Sequence, residues 1–207
     1  MSVLTKPSAP VPKRAPLPVM RFTVPEYHRM ISSRILTEDH DVELLDGYIV
    51  PKMPRNPPHE YSLSKAHRLI GSLLRADWYL RNQMAITTFE SEPEPDLAAV
   101  LAPEDRYEAR HPASADIGLL IEVSDSTLAR DRQEKLVIYA RARIGCYWIV
   151  NIPDRQIEVY TLPTGPDTAP GYGQCRTYRP GDSVPVEIAG QPCGTIPVNA
   201  LLPRFES

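Results

Sequence analysis

Residues 117–123 read IGLLIEV, an almost unbroken apolar stretch that contains a single acidic side chain, Glu122. A continuous apolar run of this length is typical of a strand that is buried on both faces of a sheet. An ionised glutamate inside such a strand is costly unless a cation or hydrogen-bond donors stabilise it. Glu122 is therefore the starting point for a functional interpretation.

The segments before this strand predict two helices, a hairpin and two further strands. Thr23 and Glu26 have the spacing of a capping box, which marks the start of a helix. Asp46-Gly47 between two apolar segments is a strong hairpin signal. The expected elements are a helix from Thr23 to about Leu36, hairpin strands Val42–Leu45 and Tyr48–Val50, a helix from Pro57 to about Leu80, and neighbouring strands Met84–Phe89 and Asp96–Leu101.

The segments after it predict one more helix and four strands. Gly145 follows a run with helical periodicity and is expected to end that helix. The expected elements are a helix from about Ala129 to Arg143 and strands Cys146–Val150, Gln156–Leu162, Tyr172–Tyr178 and Val184–Ile188. Helices that flank a mixed sheet make the fold class α/β or α+β.

The composition predicts one domain that lies in the cytoplasm. A chain of 207 residues can bury one substantial core. Its formal net charge of −3 argues against a protein that coats nucleic acid non-specifically, but it allows a nuclease with an acidic metal site. Its three cysteines lack CxxC spacing, so reduced thiols are expected. Neither a membrane span nor a secretory signal is predicted.

A second acidic residue, Asp96, follows Pro95 at the start of another predicted strand. Two carboxylates on neighbouring strands could hold Mg²⁺, which prefers oxygen ligands and activates water. Lys135 on the next helix could orient that water or stabilise developing negative charge. Aspartate after proline is also common turn chemistry, so Asp96 alone has a structural interpretation.

Glu122 and Lys135 have structural interpretations as well. A salt bridge to Arg130 or Arg132 would satisfy the Glu122 carboxylate. Lys135 lies four residues after Asp131, which is the spacing of an ion pair on an exposed helix face. The metal-site interpretation therefore depends on whether these side chains converge.

Short motifs follow one another along the chain in a recognisable order. They are Glu43-Leu44-Leu45-Asp46-Gly47, His59 at a helix start, Pro95-Asp96, Ile121-Glu122-Val123-Ser124 with Ser126-Thr127, then Asp131, Lys135 and Tyr139, Tyr147-Trp148-Ile149-Val150 with Pro153, and Val159-Tyr160. Over roughly residues 23–162 this order resembles the bacterial Uma family of "putative restriction endonucleases", within the PD-(D/E)XK nuclease superfamily. The resemblance implies a restriction-endonuclease-like fold, with a mixed central sheet flanked by helices, and a homodimer.

The resemblance also implies that five residues of this chain belong to the family's site. Asp96 matches the aspartate of the superfamily's Pro-Asp and Glu122 its second acid, so both would hold Mg²⁺, with Mn²⁺ able to substitute. The main-chain carbonyl of Val123 would be a third metal ligand. Glu43 matches the family's early glutamate, which would bind the metal or orient a ligand. His59 matches an accessory histidine without an assigned role. Taken alone, Glu43 is expected to be a solvated side chain and His59 a residue at the start of a helix.

One position departs from the superfamily pattern. The superfamily lysine normally lies two residues after the second acid, on the same face of the strand. That position is Ser124 here. The Uma-type pattern supplies the lysine from the following helix, which makes Lys135 the catalytic candidate.

The chain is expected to consist of an N-terminal arm, one domain and a C-terminal extension of that domain. Residues 1–22 are rich in proline and predict a flexible arm, either a tail without chemistry or an arm that wraps a partner subunit. Residues 23–162 would form the restriction-endonuclease-like domain. Residues 163–207 would be a β-rich C-terminal extension of that domain.

Functions of different classes remain open at this point. The first is a Mg²⁺-dependent endonuclease that hydrolyses DNA phosphodiester bonds, with Asp96, Glu122, Lys135 and Glu43 as its catalytic residues. The second is a non-catalytic module that binds nucleic acid or protein, favoured by the acidic charge and the missing strand lysine. A glycosidase would use Asp96 and Glu122 as acid and base, but only 7% of the residues are aromatic and could line a sugar cleft.

Overall fold

A computed structural model describes residues 18–204 of the chain. Residues 1–17 of the arm predicted for residues 1–22 lie outside the described residues. Residues 18–21 are exposed, and Phe22 donates its backbone N–H to the carbonyl of Gly47 at 2.8 Å.

Six strands form one mixed central sheet in the order β3-β4-β5-β6-β7-β8. Strands β5 and β6 are parallel, and the other neighbouring pairs are antiparallel. Helices flank this sheet, which confirms the expected fold class. The strands are β3 (Trp78–Asn82), β4 (Leu97–Leu101), β5 (Ile117–Ser124), β6 (Cys146–Asn151), β7 (Gln156–Pro163) and β8 (Tyr172–Tyr178).

Two hairpins lie outside the central sheet. The first joins β1 (Val42–Leu45) to β2 (Tyr48–Pro51) through Asp46-Gly47, as predicted. Both turn residues have positive φ angles, 49° and 78°, which is the backbone form that Asp-Gly favours. The second hairpin joins β9 (Ser183–Ile188) to β10 (Gln191–Pro197), and β10 was not predicted.

The helices begin within about one residue of the predicted starts, but the first two, α1 and α2, end earlier than predicted. Thr23 and Glu26 form the expected capping box of α1, which is shorter than predicted. The helix after β5 contains a π-helical turn between two α-helical segments. The helices are α1 (Val24–Ser32), α2 (Pro57–Gly71), α3 (Leu128–Arg130), the π turn (Asp131–Lys135) and α4 (Leu136–Arg141), with 3₁₀ turns at Glu38–His40, Glu104–Tyr107, Ser114–Asp116 and Val198–Ala200.

Apolar clusters cover both faces of the sheet. One cluster joins Leu63 and Ile70 of α2 and Val186 of β9 to the sheet. The other joins Ile138 and Tyr139 of α4 to the opposite face. All eight residues of β5 are buried as a result, which explains its continuous apolar run.

One region differs from the prediction. The helix predicted to reach Leu80 ends at Gly71, and Trp78–Asn82 forms the edge strand β3 instead. Met84–Phe89 is not a strand, and β4 pairs with β3. The apolar residues of this segment fit either period, and pairing with β4 decides between them. Residues 83–96 connect β3 to β4 as an irregular segment that contains Pro93 and Pro95.

Candidate active site

The register between β4 and β5 brings Asp96 and Glu122 together. Leu97 pairs with Ile121, so the residues that flank this pair meet at the end of β4. The Asp96 backbone N–H lies 3.4 Å from Glu122 Oε2, and the Val123 backbone N–H donates to Asp96 Oδ2 at 2.8 Å. Both carboxylates are buried.

Glu122 has two direct partners from the helix that follows β5. Lys135 Nζ donates to Glu122 Oε1 at 2.9 Å, and Tyr139 Oη donates to the same oxygen at 2.6 Å. Lys135 Nζ also lies 3.8 Å from Glu43 Oε2. Lys135 is only 7% exposed, so it does not lie on a solvated helix face. The helix face that carries it is turned toward the sheet.

The expected arginine partners of Glu122 are occupied elsewhere. Arg132 donates to both carboxylate oxygens of Glu158. Arg130 donates to the carbonyl of Pro51 and lies 3.8 Å from Glu134. A salt bridge from Glu122 to either arginine is therefore the wrong interpretation of this buried carboxylate.

Asp131 adds a further buried carboxylate, and only 2% of it is exposed. Ser124 Oγ donates to Asp131 Oδ2 at 2.6 Å, and Thr127 Oγ1 donates to it at 2.7 Å. Ser124 occupies the position where the superfamily has its lysine. Its hydroxyl ties the π turn to the end of β5, and the π turn in turn carries Lys135.

His59 and Gln83 hold the Asp96 carboxylate from the other side. His59 Nε2 lies 3.1 Å from Asp96 Oδ2, and Gln83 Nε2 donates to Asp96 Oδ1 at 3.1 Å. The Asn56 side chain accepts from the His59 backbone N–H and caps α2, which fixes the helix start. Among residues 18–204, the buried His59 Nδ1 atom has no hydrogen-bond partner.

Glu43 reaches the site from β1. Its side chain is buried, and Oε2 accepts the backbone N–H of Glu94 at 3.1 Å. All six site residues expected from the sequence thus line one polar cleft. Within the described part of the chain, that cleft is lined by Glu43, Lys52, Met53, Arg55, His59, Gln83, Glu94, Asp96, Glu122, Val123, Thr127, Arg130, Asp131 and Lys135.

Burial and charge crowding shift the pKa values of the acidic groups. Burial is the main cause that raises the pKa of Glu122 to about 8, with Asp131 and Asp96 raising it further and Lys135 opposing. Burial also raises the pKa of Asp131. Burial opposes ionisation of Asp96, but the interactions with His59, together with hydrogen bonds from the Val123 backbone N–H and Gln83, outweigh it and leave that pKa lowered. The cleft therefore crowds several buried carboxylates around the buried ammonium group of Lys135.

Lys135 remains a cation in spite of its burial. Burial alone would lower the pKa of its ammonium group, but the charges of Glu122, Glu43 and Asp131 outweigh that cost, and the pKa is raised. One ammonium group thus faces several carboxylates.

The donor set fits a divalent cation of the Mg²⁺ type. Asp96, Glu122 and Glu43 offer carboxylate oxygens, and a bound cation would relieve the repulsion between these crowded carboxylates. The Val123 N–H points from β5 toward Asp96, and the N–H and C=O of one strand residue point to the same edge. The Val123 carbonyl is therefore directed to the same side of β5 as Asp96.

Three residues of this site, Asp131, Tyr139 and Gln83, were not predicted from the sequence to act in it. Asp131 and Tyr139 belong to the motif order, but their local signals were an ion-pair spacing and a buried helix stripe. Gln83 lies in a segment predicted to be next to a strand, and nothing in its local sequence distinguishes it. Their contacts depend on where the π turn and the 83–96 segment lie in the fold.

A family model matches most of this chain. The model Uma2, described as "Putative restriction endonuclease", matches residues 24–191. The chain belongs to this family. This confirms the resemblance found in the sequence and corrects its extent, because the match continues past residue 162 through β8 and β9 of the Uma2 chain.

A solved structure shares the fold. It is a crystal structure from Anabaena variabilis ATCC 29413, described as a "putative nuclease belonging to DUF820". The two chains superpose with a TM-score of 0.64 at 15% identity, and the alignment covers 87% of this Uma2 chain and 97% of that chain. No match was found among curated proteins. Within residues 18–204 of this Uma2 chain, no helix combines the length and apolar character needed to cross a membrane.

Proposed function

We propose that the protein is a Mg²⁺-dependent endonuclease that hydrolyses DNA phosphodiester bonds. The observation that carries the proposal is the convergence of buried acidic groups around one buried ammonium group, at the end of β4 and β5. Membership of the Uma2 family and the nuclease-like fold support the same reaction class. A location in the cytoplasm, expected from the cysteines, stays a prediction.

Asp96, Glu122 and the Val123 carbonyl would hold the metal, with Glu43 as an additional ligand or as a residue that orients one. A bound Mg²⁺ would supply Lewis acidity and lower the pKa of a water molecule. His59 and Gln83 would act as positioning residues, since both hold the Asp96 carboxylate by side-chain contacts. Tyr139 would play the same part for Glu122.

Lys135 would orient the attacking water and stabilise the negative charge that develops on the phosphate. Its ammonium group lies 2.9 Å from one carboxylate oxygen of Glu122. A buried cation in a site that excludes water stabilises a developing charge more strongly than an exposed one does. Ser124 holds the helix that carries Lys135, by way of Asp131.

Basic side chains at the mouth of the cleft would bind the DNA backbone. Lys52, Arg55 and Arg130 line the cleft together with the acidic groups. Arg55 is exposed and, within residues 18–204, forms no ion pair. Such a cation is available for a phosphate oxygen. The resemblance further predicts a homodimer, which analytical ultracentrifugation would test.

The aromatic content of the cleft disfavours a sugar substrate. None of the described residues that line it is Phe, Tyr or Trp. A glycosidase would need such side chains around the sugar ring. A phosphodiester substrate requires only the acidic and basic groups.

The first test is cleavage of supercoiled plasmid DNA with Mg²⁺ or Mn²⁺. Glu122→Gln and Lys135→Met should each lower the cleavage rate roughly 100-fold or more, because each removes a group that acts on the reacting centre. Glu108→Gln and Lys65→Met are matched controls away from the cleft and should cleave like the unmodified protein. Equal cleavage by Glu122→Gln and the unmodified protein would refute the proposal.

The second test separates this function from a non-catalytic binding module. Mg²⁺ or Mn²⁺ added to metal-free protein should raise the melting temperature, because a ligand that binds only the folded state stabilises it. Asp96→Asn should abolish the increase. No increase in the unmodified protein, combined with DNA binding without cleavage, would favour the binding module instead.

A further inference from the structure

Three metal-ligating side chains meet at a second place in the fold, outside the acidic cleft. His28 lies on α1, Glu92 lies in the segment between β3 and β4, and His111 lies in the loop between β4 and β5. One candidate ligand atom from each of the three lies within 4.8 Å of the others. None of these residues lines the acidic cleft described above.

The buried Glu92 carboxylate is the centre of this cluster. Its two oxygens lie 2.8 and 2.7 Å from His28 Nε2, and Oε1 lies 3.9 Å from His111 Nε2. Thr87 Oγ1 donates to Glu92 Oε2 at 2.9 Å and holds the carboxylate in place. The His28 and His111 side chains are 50% and 41% exposed, so a cation from solvent can reach them.

We propose that His28, Glu92 and His111 bind a Zn²⁺ ion. Two imidazoles and one carboxylate are a ligand set that Zn²⁺ accepts, with water at a remaining position. Ligands at about 2.0–2.1 Å from a tetrahedral Zn²⁺ are about 3.3 Å apart, and small rotations of the two exposed histidines would produce that spacing. Imidazole ligands favour Zn²⁺ over Mg²⁺, so this site and the acidic cleft select different metals.

The bound ion would link three separate segments of the chain: α1, the segment between β3 and β4, and the loop between β4 and β5. The Glu92 backbone N–H donates to Leu44 of β1, and the Thr87 backbone N–H donates to Pro112, next to His111. A metal ion held here would therefore fasten α1 and the loop before β5 to the segment that leads into Asp96. Its role would be structural, because it would stabilise the folded state.

The test is a Zn²⁺ titration of chelator-treated protein by isothermal titration calorimetry, with thermal unfolding in parallel. The unmodified protein should bind Zn²⁺ and unfold at a higher temperature with the metal. His28→Gln and His111→Gln should each weaken Zn²⁺ binding roughly 100-fold or more, because each removes a direct ligand. His67→Gln, an exposed histidine on α2, is the matched control and should bind like the unmodified protein.

Variants of the acidic cleft make the test specific. Asp96→Asn and Glu122→Gln should retain the Zn²⁺ affinity that His111→Gln loses. Binding that disappears in the cleft variants but persists in both histidine variants would overturn the proposal, and so would the absence of Zn²⁺ binding by the unmodified protein. Circular dichroism of each metal-free variant checks that it is folded before titration. Zn²⁺ binding is measured without DNA cleavage, so its result neither supports nor refutes the proposed nuclease function.

Discussion

Two buried glutamates show how strongly the immediate neighbours of a side chain decide its ionisation. Burial is the largest influence on the pKa of both Glu122 and Glu158, and in each case it raises the pKa. Glu122 faces other carboxylates, and its pKa rises to about 8. Glu158 instead accepts hydrogen bonds from Arg132 and three neutral side chains, which outweigh burial and lower its pKa to about 2. Glu122 shares the ammonium group of Lys135 with Glu43 and Asp131, so its environment favours a further cation.

Glu158 should make the stability of the protein depend on acid pH. Its pKa falls from 4.5 to about 2 on folding, so it stabilises the fold above about pH 4.5 and loses this effect as the pH falls toward 2. Glu158→Gln should reduce the free energy of unfolding by about 2 kcal/mol at pH 7, after allowance for solvent screening. Urea unfolding between pH 7 and 3 measures this.

The difference between Glu158→Gln and the unmodified protein should shrink as the pH falls from about 4.5 toward 2, because the Glu158 carboxylate is protonated in the unfolded chain before it is protonated in the folded protein. Glu108→Gln, which changes an exposed glutamate, should match the unmodified protein throughout. A difference that stays constant with pH would show that lost packing, rather than lost charge, explains the effect.

Among the elements, the β1–β2 hairpin contributes Glu43 to the cleft. Its Asp-Gly turn has positive φ at both positions, a form that L-residues adopt at a cost. Arg21 forms a salt bridge with Asp46 of this turn, and Phe22 donates its backbone N–H to the Gly47 carbonyl. The turn therefore orients the hairpin and also holds the chain that leads into α1.

Gly47→Ala should destabilise the protein by about 1–3 kcal/mol. Gly47 has a φ of +78°, and a Cβ atom there would lie 2.8 Å from Arg21 Cβ and 3.2 Å from the Phe22 carbonyl oxygen. Gly171→Ala is the matched control, since a Cβ atom at that position meets nothing within 4 Å. Thermal unfolding of the two variants provides the comparison. Equal stability would mean that the hairpin relaxes without penalty.

At the scale of the whole molecule, the C-terminal strands complete the core. Strand β8 pairs with β7 in the central sheet, and β9 places Val184, Val186 and Ile188 in the cluster that covers one face. We propose that residues 163–204 belong to the same domain as the acidic cleft. The family match, which continues to residue 191, supports this division of the chain.

Ile188→Ala should destabilise the protein by about 2–5 kcal/mol, because it leaves a cavity between β9 and the sheet. Ile188 is 1% exposed, whereas Ile35 is 65% exposed, so Ile35→Ala is the matched control and should cost little. Urea unfolding measures both variants. A small effect at Ile188 would argue that the C-terminal hairpin packs independently of the central sheet.

The sequence by itself determined the elements whose local signals agree. The capping box at Thr23, the Asp-Gly turn and the apolar run around Glu122 each predicted their element to within a few residues, because each signal depends on neighbours in the chain. The motif order also identified the family and the candidate site residues. The helix from Pro57 was predicted to continue to about Leu80, whereas Trp78–Asn82 forms β3. The apolar residues suit either period, and only a partner strand could decide between them.

The tertiary structure alone decided which charges meet. Lys135 and Asp131 have the spacing of an exposed ion pair, yet packing of their helix against β5 turns both side chains inward. Gln83 has no local signal at all, and its contact with Asp96 comes from the path of residues 83–96. Distant charges interact through space rather than along the chain, so their partners depend on the register of β4 with β5 and on the docking of the helices.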